Sequence, residues 1–251
     1  MKKGSELGRV LDRLEKFYGP QKPSGPMTPY EMVLHRNCGY PQSDARCDKG
    51  FGNLKKDIGL RPEDILAASD AKLSEVMRPS VMIPAQSARR LKEIAARVKD
   101  GFGDDLRVVM KRPLAEARKA LKKFPTIGDS TADKIILFTK TAPVAAIPSN
   151  AVHVLIRLGF GRESRNWAAS YRSARESVTT ELGVAGAADA ASPSSRANAI
   201  KKLLRAYVLL KHHAQQLCKL ARPLCDDCPL SSACLYYKNP RSFSPPAAKA
   251  I

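Results

Sequence analysis

Cys218-Lys219-Leu220-Ala221-Arg222-Pro223-Leu224-Cys225-Asp226-Asp227-Cys228-Pro229-Leu230-Ser231-Ser232-Ala233-Cys234 places four thiols within seventeen residues near the end of a 251-residue chain. The spacing is C-x6-C-x2-C-x5-C, with Pro223 and Pro229 turning the backbone between thiols. Zinc accepts four thiolates, but its structural sites usually come as two separated short knuckles, each gripping one side of a tetrahedron. One short pair flanked by wider gaps suits a bulkier iron–sulfur cubane touched at four corners, so the spacing favours [4Fe–4S] and leaves zinc as the alternative. Cys38 and Cys47 lie outside this run and read as ordinary thiols.

Working outward, Ile200 to Leu217 reads as a long amphipathic helix that delivers the chain to the cysteines. The rest reads as short helices broken by turns: Glu6 to Tyr18, Tyr30 to Cys38, Phe51 to Ile58, Pro62 to Ala68, Asp70 to Met77, Gln86 to Val98, Pro113 to Lys123, Thr131 to Lys140 and Ala151 to Leu158. Apolar residues such as Ile65, Leu73, Val76, Leu91, Ile94 and Val98 recur at three- and four-residue spacing, and strand signals are weak, so the fold class is all-α. Gly183 to Asn198 is small and polar and reads as a loop, while Lys238 to Ile251 reads as a basic, proline-containing flexible tail. The Gly/Pro-rich run Gly19 to Pro26 reads as a crossing between domains.

Lys and Arg number 43 against 24 Asp and Glu, a formal charge of +19, and no acidic block offsets it. A polyanionic partner is expected. No stretch reaches the roughly 18 to 20 apolar residues that cross a bilayer. Met1-Lys2-Lys3-Gly4-Ser5-Glu6 opens onto charge instead of an apolar signal core, so a cytoplasmic, reducing compartment is expected, with thiols available as ligands.

A second motif lies between two apolar helices: Phe124-Pro125-Thr126-Ile127-Gly128-Asp129-Ser130-Thr131-Ala132. A tight turn at Gly128 would expose backbone N–H groups at the start of the next helix, where they and the helix dipole can hold a phosphate without reading a base. A plain connection between two helices is the bland alternative. The segment resembles the L-P-G-x-G-x-x-T-A core of a helix-hairpin-helix, with Thr126 at the first glycine. The cysteine spacing downstream resembles the cluster loop of the endonuclease III and adenine glycosylase group. The two occur in family order and separation, and the resemblance to helix-hairpin-helix (HhH-GPD) DNA glycosylases covers roughly residues 28 to 237.

That resemblance implies a two-lobed all-α fold: a helical barrel over 28–140 ending in the hairpin, a discontinuous cluster domain from 1–27 plus 141–237, and the tail 238–251. It implies a monomer that lays damaged or mismatched duplex DNA across the groove between the lobes. Phosphate contacts would come from Thr126, Gly128, Ser130, Thr131, Lys219 and Arg222, and cluster ligation from Cys218, Cys225, Cys228 and Cys234. Arg36, Asn37, Tyr40, Asn150 and His153 would face the flipped base. Gln42 is a guess at the wedge residue, and His212 and His213 are expected to pack against the cluster.

At the family's lyase lysine this chain has Ser130, and at its catalytic aspartate Pro148; Arg36 stands where adenine glycosylases carry a glutamate. A Schiff-base step at Ser130 is not expected, although Lys134 or Lys140 could substitute as the amine. Losing the carboxylate that faces an oxocarbenium-like state would cost on the order of 3 kcal/mol. Three explanations stay open: a displaced acid (Asp129, Asp133 or Asp44), a base that leaves easily, or lesion binding without cutting. The expected activity is hydrolysis of the N-glycosidic bond of a flipped base in duplex DNA. The rivals are a non-catalytic lesion-binding or scaffold protein and a zinc-dependent transcription regulator.

Overall fold

A computed structural model of the chain describes residues 5–23, 25, 27–41, 43–187 and 192–243. The described residues form helices and turns, with no strand among them. The chain divides into two compact units, residues 26–141 and residues 1–25 with 142–251.

The first helix, α1 (Glu6–Tyr18), is started by Ser5, whose hydroxyl accepts from the Gly8 amide, and it buries Leu7, Val10, Leu11 and Leu14 at helical spacing. In the 26–141 unit, α2 (Pro29–Asn37) opens with a full capping box between Thr28 and Glu31. Next come α3 (Asp44–Asp57), α4 (Pro62–Ala67), α5 (Asp70–Met77) and α6 (Pro84–Phe102). Helix α6 is the axis of this unit: Leu91, Ile94, Ala95 and Val98 are fully buried, and α2, α4 and α5 pack against it. A short α7 (Arg107–Met110), α8 (Leu114–Leu121) and α9 (Asp129–Phe138) complete the unit.

Helix α3 begins seven residues before the expected Phe51. Its first half, Asp44 to Gly50, buries only Cys47 and Gly50 and so carries no apolar rhythm. Gly50 is required there, because a Cβ would stand 2.1 Å from the Cys38 carbonyl oxygen.

The other unit contains α1, α10 (Val152–Arg157), α11 (Trp167–Glu181), α12 (Pro193–Gln216) and the short α13 (Leu235–Lys238). Helix α1 packs on α11 and α12. Glu181 of α11 accepts from the Leu7 amide at 3.0 Å, and Arg205 of α12 reaches both Asp12 and Glu15 at 2.7 Å. The polar run expected to stay a loop as far as Asn198 is instead helical from Pro193, where Ser192 and a first-turn proline start α12. Helix α11 was not foreseen; its buried stripe, Ser170, Tyr171, Ala174 and Val178, holds one large side chain among small or polar ones and gives no apolar rhythm. Of the basic tail, residues 244–251 lie outside the described residues.

Candidate functional site

The hairpin turn joins α8 to α9. Thr126 sits at φ 62°, the left-handed region in which a β-branched residue is strained by roughly 1–3 kcal/mol. That is the physical reason a glycine suits this position. Buried hydrogen bonds hold the turn: Thr126 Oγ1 donates to Asn37 Oδ1 at 3.1 Å, while Asn37 Nδ2 donates to the carbonyls of Pro125 at 3.0 Å and Val33 at 2.9 Å. Ser87 Oγ donates to the Asn37 carbonyl at 3.1 Å. Asn37 was expected to face a base, but it is 1% exposed and clamps the hairpin to α2.

Helix α9 starts at Asp129, with Gly128 as a cap residue that offers no side-chain acceptor. Gly128 is exposed, its φ of −97° is open to any residue, and a Cβ built there meets nothing within 4 Å. The cap position is therefore open and lacks a side-chain acceptor, and the first-turn carboxylate, Asp129, is paired with Lys122. Ser130 is buried in this first turn and Thr131 is half-buried.

The candidate acids are differently placed. Asp133 was expected on the cleft side; it is fully buried and takes Arg118 Nε and Nη2 at 2.7 Å each. Its task is to fasten α8 to α9, which excludes it as an acid facing a substrate. Asp129 pairs with Lys122 across the turn at 2.6 Å and is partly exposed. Lys134 is half-buried, 5.6 Å from the Phe138 ring, and its charge is felt by His35 and Cys47. Lys140 is exposed just past α9. Asp44, half-buried in the first turn of α3, also acts on His35 and Cys47. His35 meets Asp48 at 2.7 Å, and burial outweighs that partner in lowering its pKa. Pro148 is buried in an apolar turn, its carbonyl accepting from the Ala151 amide at 2.8 Å, and Asn150 is exposed beside it. Gln42 lies outside the described residues.

Tyr40 packs under two cations, with the Arg36 guanidinium 4.5 Å and that of Arg90 6.0 Å from its ring centroid. Met82 and Ile83, 63% and 60% exposed, project from the turn before α6. Sequence reading passed over them, although two adjacent large apolar residues ahead of a helix-starting proline are a visible signal.

In the other unit, Cys218, Cys225, Cys228 and Cys234 all line one largely apolar pocket. Burial and mutual repulsion push the thiols of Cys218, Cys225 and Cys228 upward, the last to about 11. Among the described residues no group of three or more His, Cys, Asp or Glu side chains is arranged to hold a metal ion. His213, 1% exposed, accepts or donates at Tyr18 Oη (2.9 Å) and turns Nε2 toward Cys228 Sγ at 3.8 Å; His212 meets the Tyr18 ring edge-on.

His153 was expected to face a base, yet its Nε2 lies 2.7 Å from the Cys218 carbonyl and burial lowers its pKa to about 4, so it steadies the cysteine loop as a neutral donor. Arg157, one turn further along α10, was missed. It is 7% exposed and donates to Cys218 Sγ at 3.4 Å and to the carbonyls of Lys219 at 2.9 Å and Leu220 at 2.7 Å, with the Tyr236 ring 4.4 Å away. The signal was available: His153 and Arg157 are four apart on an otherwise apolar helix, hence on one face. Lys219 and Arg222 are exposed on the loop so held.

An all-α chain with a hairpin of this geometry and four cysteines on one pocket has the fold of the helix-hairpin-helix DNA glycosylases. The structure superimposes on endonuclease III in a trapped covalent complex with DNA with a TM-score of 0.68 and 19% identity, covering 93% of this chain and 96% of that one. A thermostable thymine-DNA glycosylase gives a TM-score of 0.59 at 18% identity, over 92% and 95% of the two chains. In sequence the chain is 24% identical over 229 residues to a protein of Methanocaldococcus jannaschii named as a DNA repair glycosylase, covering 90% of this chain and 94% of that one. It is likewise 24% identical to the thymine-DNA glycosylase of Aeropyrum pernix, over 71% of this chain and 70% of that one. No family model matches the chain. The fold is therefore that of the helix-hairpin-helix glycosylases, and in sequence the chain is similar to proteins named as DNA glycosylases.

Proposed function

We propose that the protein is a DNA base-excision glycosylase: it binds duplex DNA containing a damaged or mismatched base, turns that base out of the stack and hydrolyses its N-glycosidic bond. The observation that carries this reading is the start of α9, open at Gly128 and without a side-chain cap, behind the Asn37-clamped hairpin. That is a phosphate seat needing no side chain, in a fold that matches endonuclease III–DNA complexes over nearly its whole length. The charge of +19 supplies the attraction, and Met82 and Ile83 supply apolar side chains of the kind that enter a base step when a duplex is kinked.

Ser130 gives no amine, so a lyase step through this position is absent from the proposal. With Asp133 locked to Arg118, the acid that faces the sugar cation falls to Asp44 or Asp129; both retain partial exposure. The four pocket-lining cysteines fit a [4Fe–4S] cluster in donor chemistry: soft thiolates whose raised proton affinity a metal overcomes, with a buried arginine beside them to balance charge. Such a cluster would brace the loop that offers Lys219 and Arg222 to DNA phosphates.

The test is base release from duplexes carrying uracil, hypoxanthine, an oxidised pyrimidine, an adenine mismatch or an abasic site. Release that fails in Asp44→Asn or Asp129→Asn supports the reading. A second reading, lesion binding without cleavage, is favoured by Pro148 and by the locked Asp133, and tight binding with no release on any duplex would establish it.

A further inference from the structure

Trp167 is the only tryptophan of the chain, and it opens α11 with 43% of its surface exposed. One face of its indole lies on the Tyr171 ring, with centroids 5.3 Å apart and planes inclined by 16°. Tyr171 is fully buried, so the indole stands on a fixed base and meets water away from that ring. Its N–H makes no hydrogen bond among the described residues. A single exposed apolar side chain is common on protein surfaces and by itself marks nothing. Here the loop ahead of the helix adds to it. Gly161 closes against α11, where a Cβ would stand 3.0 Å from Ala174 Cα. Ser170 and Ser173 of the same helix accept from the amides of Ser164 at 2.8 Å and Arg162 at 2.9 Å. The loop is thus fastened to the helix that carries the tryptophan, and its exposed Arg162 and Arg165 make no ion pair among the described residues.

We propose that Trp167, Arg162 and Arg165 form a binding surface for single-stranded nucleic acid. It belongs to the unit that holds the cysteines, whereas the α9 seat belongs to the other. The contact is additional to duplex binding and independent of base release. An open indole face takes a base by stacking whatever its identity, because every base has a π face. Inside a duplex both faces of each base are covered by neighbours, so the indole reaches unpaired bases only. Two unpaired guanidinium groups just ahead of the indole suit the phosphates beside a stacked base. An acidic peptide would answer the arginines but bring no planar partner to the indole, and the charge of +19 already favours a polyanion.

With one tryptophan in the chain, its emission reads this surface alone. The full chain is titrated with oligothymidylate, with an abasic phosphodiester chain of equal length, and with a duplex closed at both ends by abasic linkers. Oligothymidylate should quench the emission, while the other two should leave it unchanged even when anisotropy of the labelled strand shows them bound. Trp167→Ala should weaken oligothymidylate binding about tenfold or more, and Trp167→Phe, which keeps a ring, should recover part of the loss. Arg162→Gln combined with Arg165→Gln should lower the slope of log affinity against log salt by about 1.4. Circular dichroism reports whether each variant is folded, and the quenching experiment needs no variant at all. Emission unaffected by saturating oligothymidylate, or quenched equally by the abasic chain or the closed duplex, would overturn the surface. Unchanged affinity in folded Trp167→Ala would overturn it as well. Base release without quenching would remove this surface and leave the glycosylase reading intact; quenching without base release would do the reverse.

Discussion

Asn37 and Asp133 do their work out of contact with solvent, and their replacement separates structural from chemical roles. Asn37→Ala removes bonds to Val33, Pro125 and Thr126 and leaves buried carbonyls unmet. Unfolding in urea should report a loss of about 2–4 kcal/mol, with DNA affinity falling alongside as the hairpin loosens. Asp133→Asn strands the Arg118 guanidinium and should cost about 3–5 kcal/mol, whereas Asp129→Asn, which breaks a partly exposed pair, should cost less than about 1 kcal/mol. Equal losses for the two variants would contradict the assignment of Asp133 as a brace. Residue types were legible in sequence, but burial was not: an Asp three residues after a Ser at a helix start looks the same whether it faces a cleft or a partly buried arginine fifteen residues upstream. Asn37 and His153 were misplaced for the same reason, since each satisfies a carbonyl that is distant along the chain.

At the level of elements, the start of α9 offers a variant in which stability and binding move in opposite directions. Gly128→Asp adds an N-cap acceptor at a position with free space, so the helix should gain a few tenths of a kcal/mol. The same carboxylate repels phosphate, so affinity for an undamaged duplex should fall tenfold or more. A variant that binds as well as wild type would remove the hairpin from the phosphate contact. In the cysteine unit, Arg157→Gln takes a buried positive charge and a sulfur hydrogen bond from the pocket. If the pocket holds the proposed [4Fe–4S] cluster, iron content per chain should fall in this variant, and the remaining cluster should be harder to reduce, its potential shifted downward in voltammetry. Unchanged iron content and potential would detach Arg157 from the proposed cluster. Long periodic helices such as α1 and α6 were readable because their buried stripes are large and apolar, while α11 and the first turns of α12 were not, because Ser, Ala and Asn carry the same helix with little contrast between faces.

For the whole molecule, a surplus of 19 positive charges and the proposed phosphate seat at the start of α9 predict DNA binding dominated by phosphate. If roughly six phosphates are neutralised, the logarithm of affinity against that of salt should have a slope of about −5, and a slope near zero would exclude this mode. Charge, the cysteine spacing and the hairpin were enough to read the fold class from sequence. What the chain does to a bound base was not, because the positions that decide it, Ser130, Pro148 and Arg36, depart from the pattern that made the rest recognisable. Base release is therefore the most direct measurement. Duplexes with uracil, hypoxanthine, oxidised pyrimidine or adenine mismatch are incubated with the purified protein, then treated with alkali to cleave any abasic site. Alkali-dependent strand scission is expected on at least one of them, and little scission without alkali given Ser130. Tight binding with no scission on any duplex would contradict it.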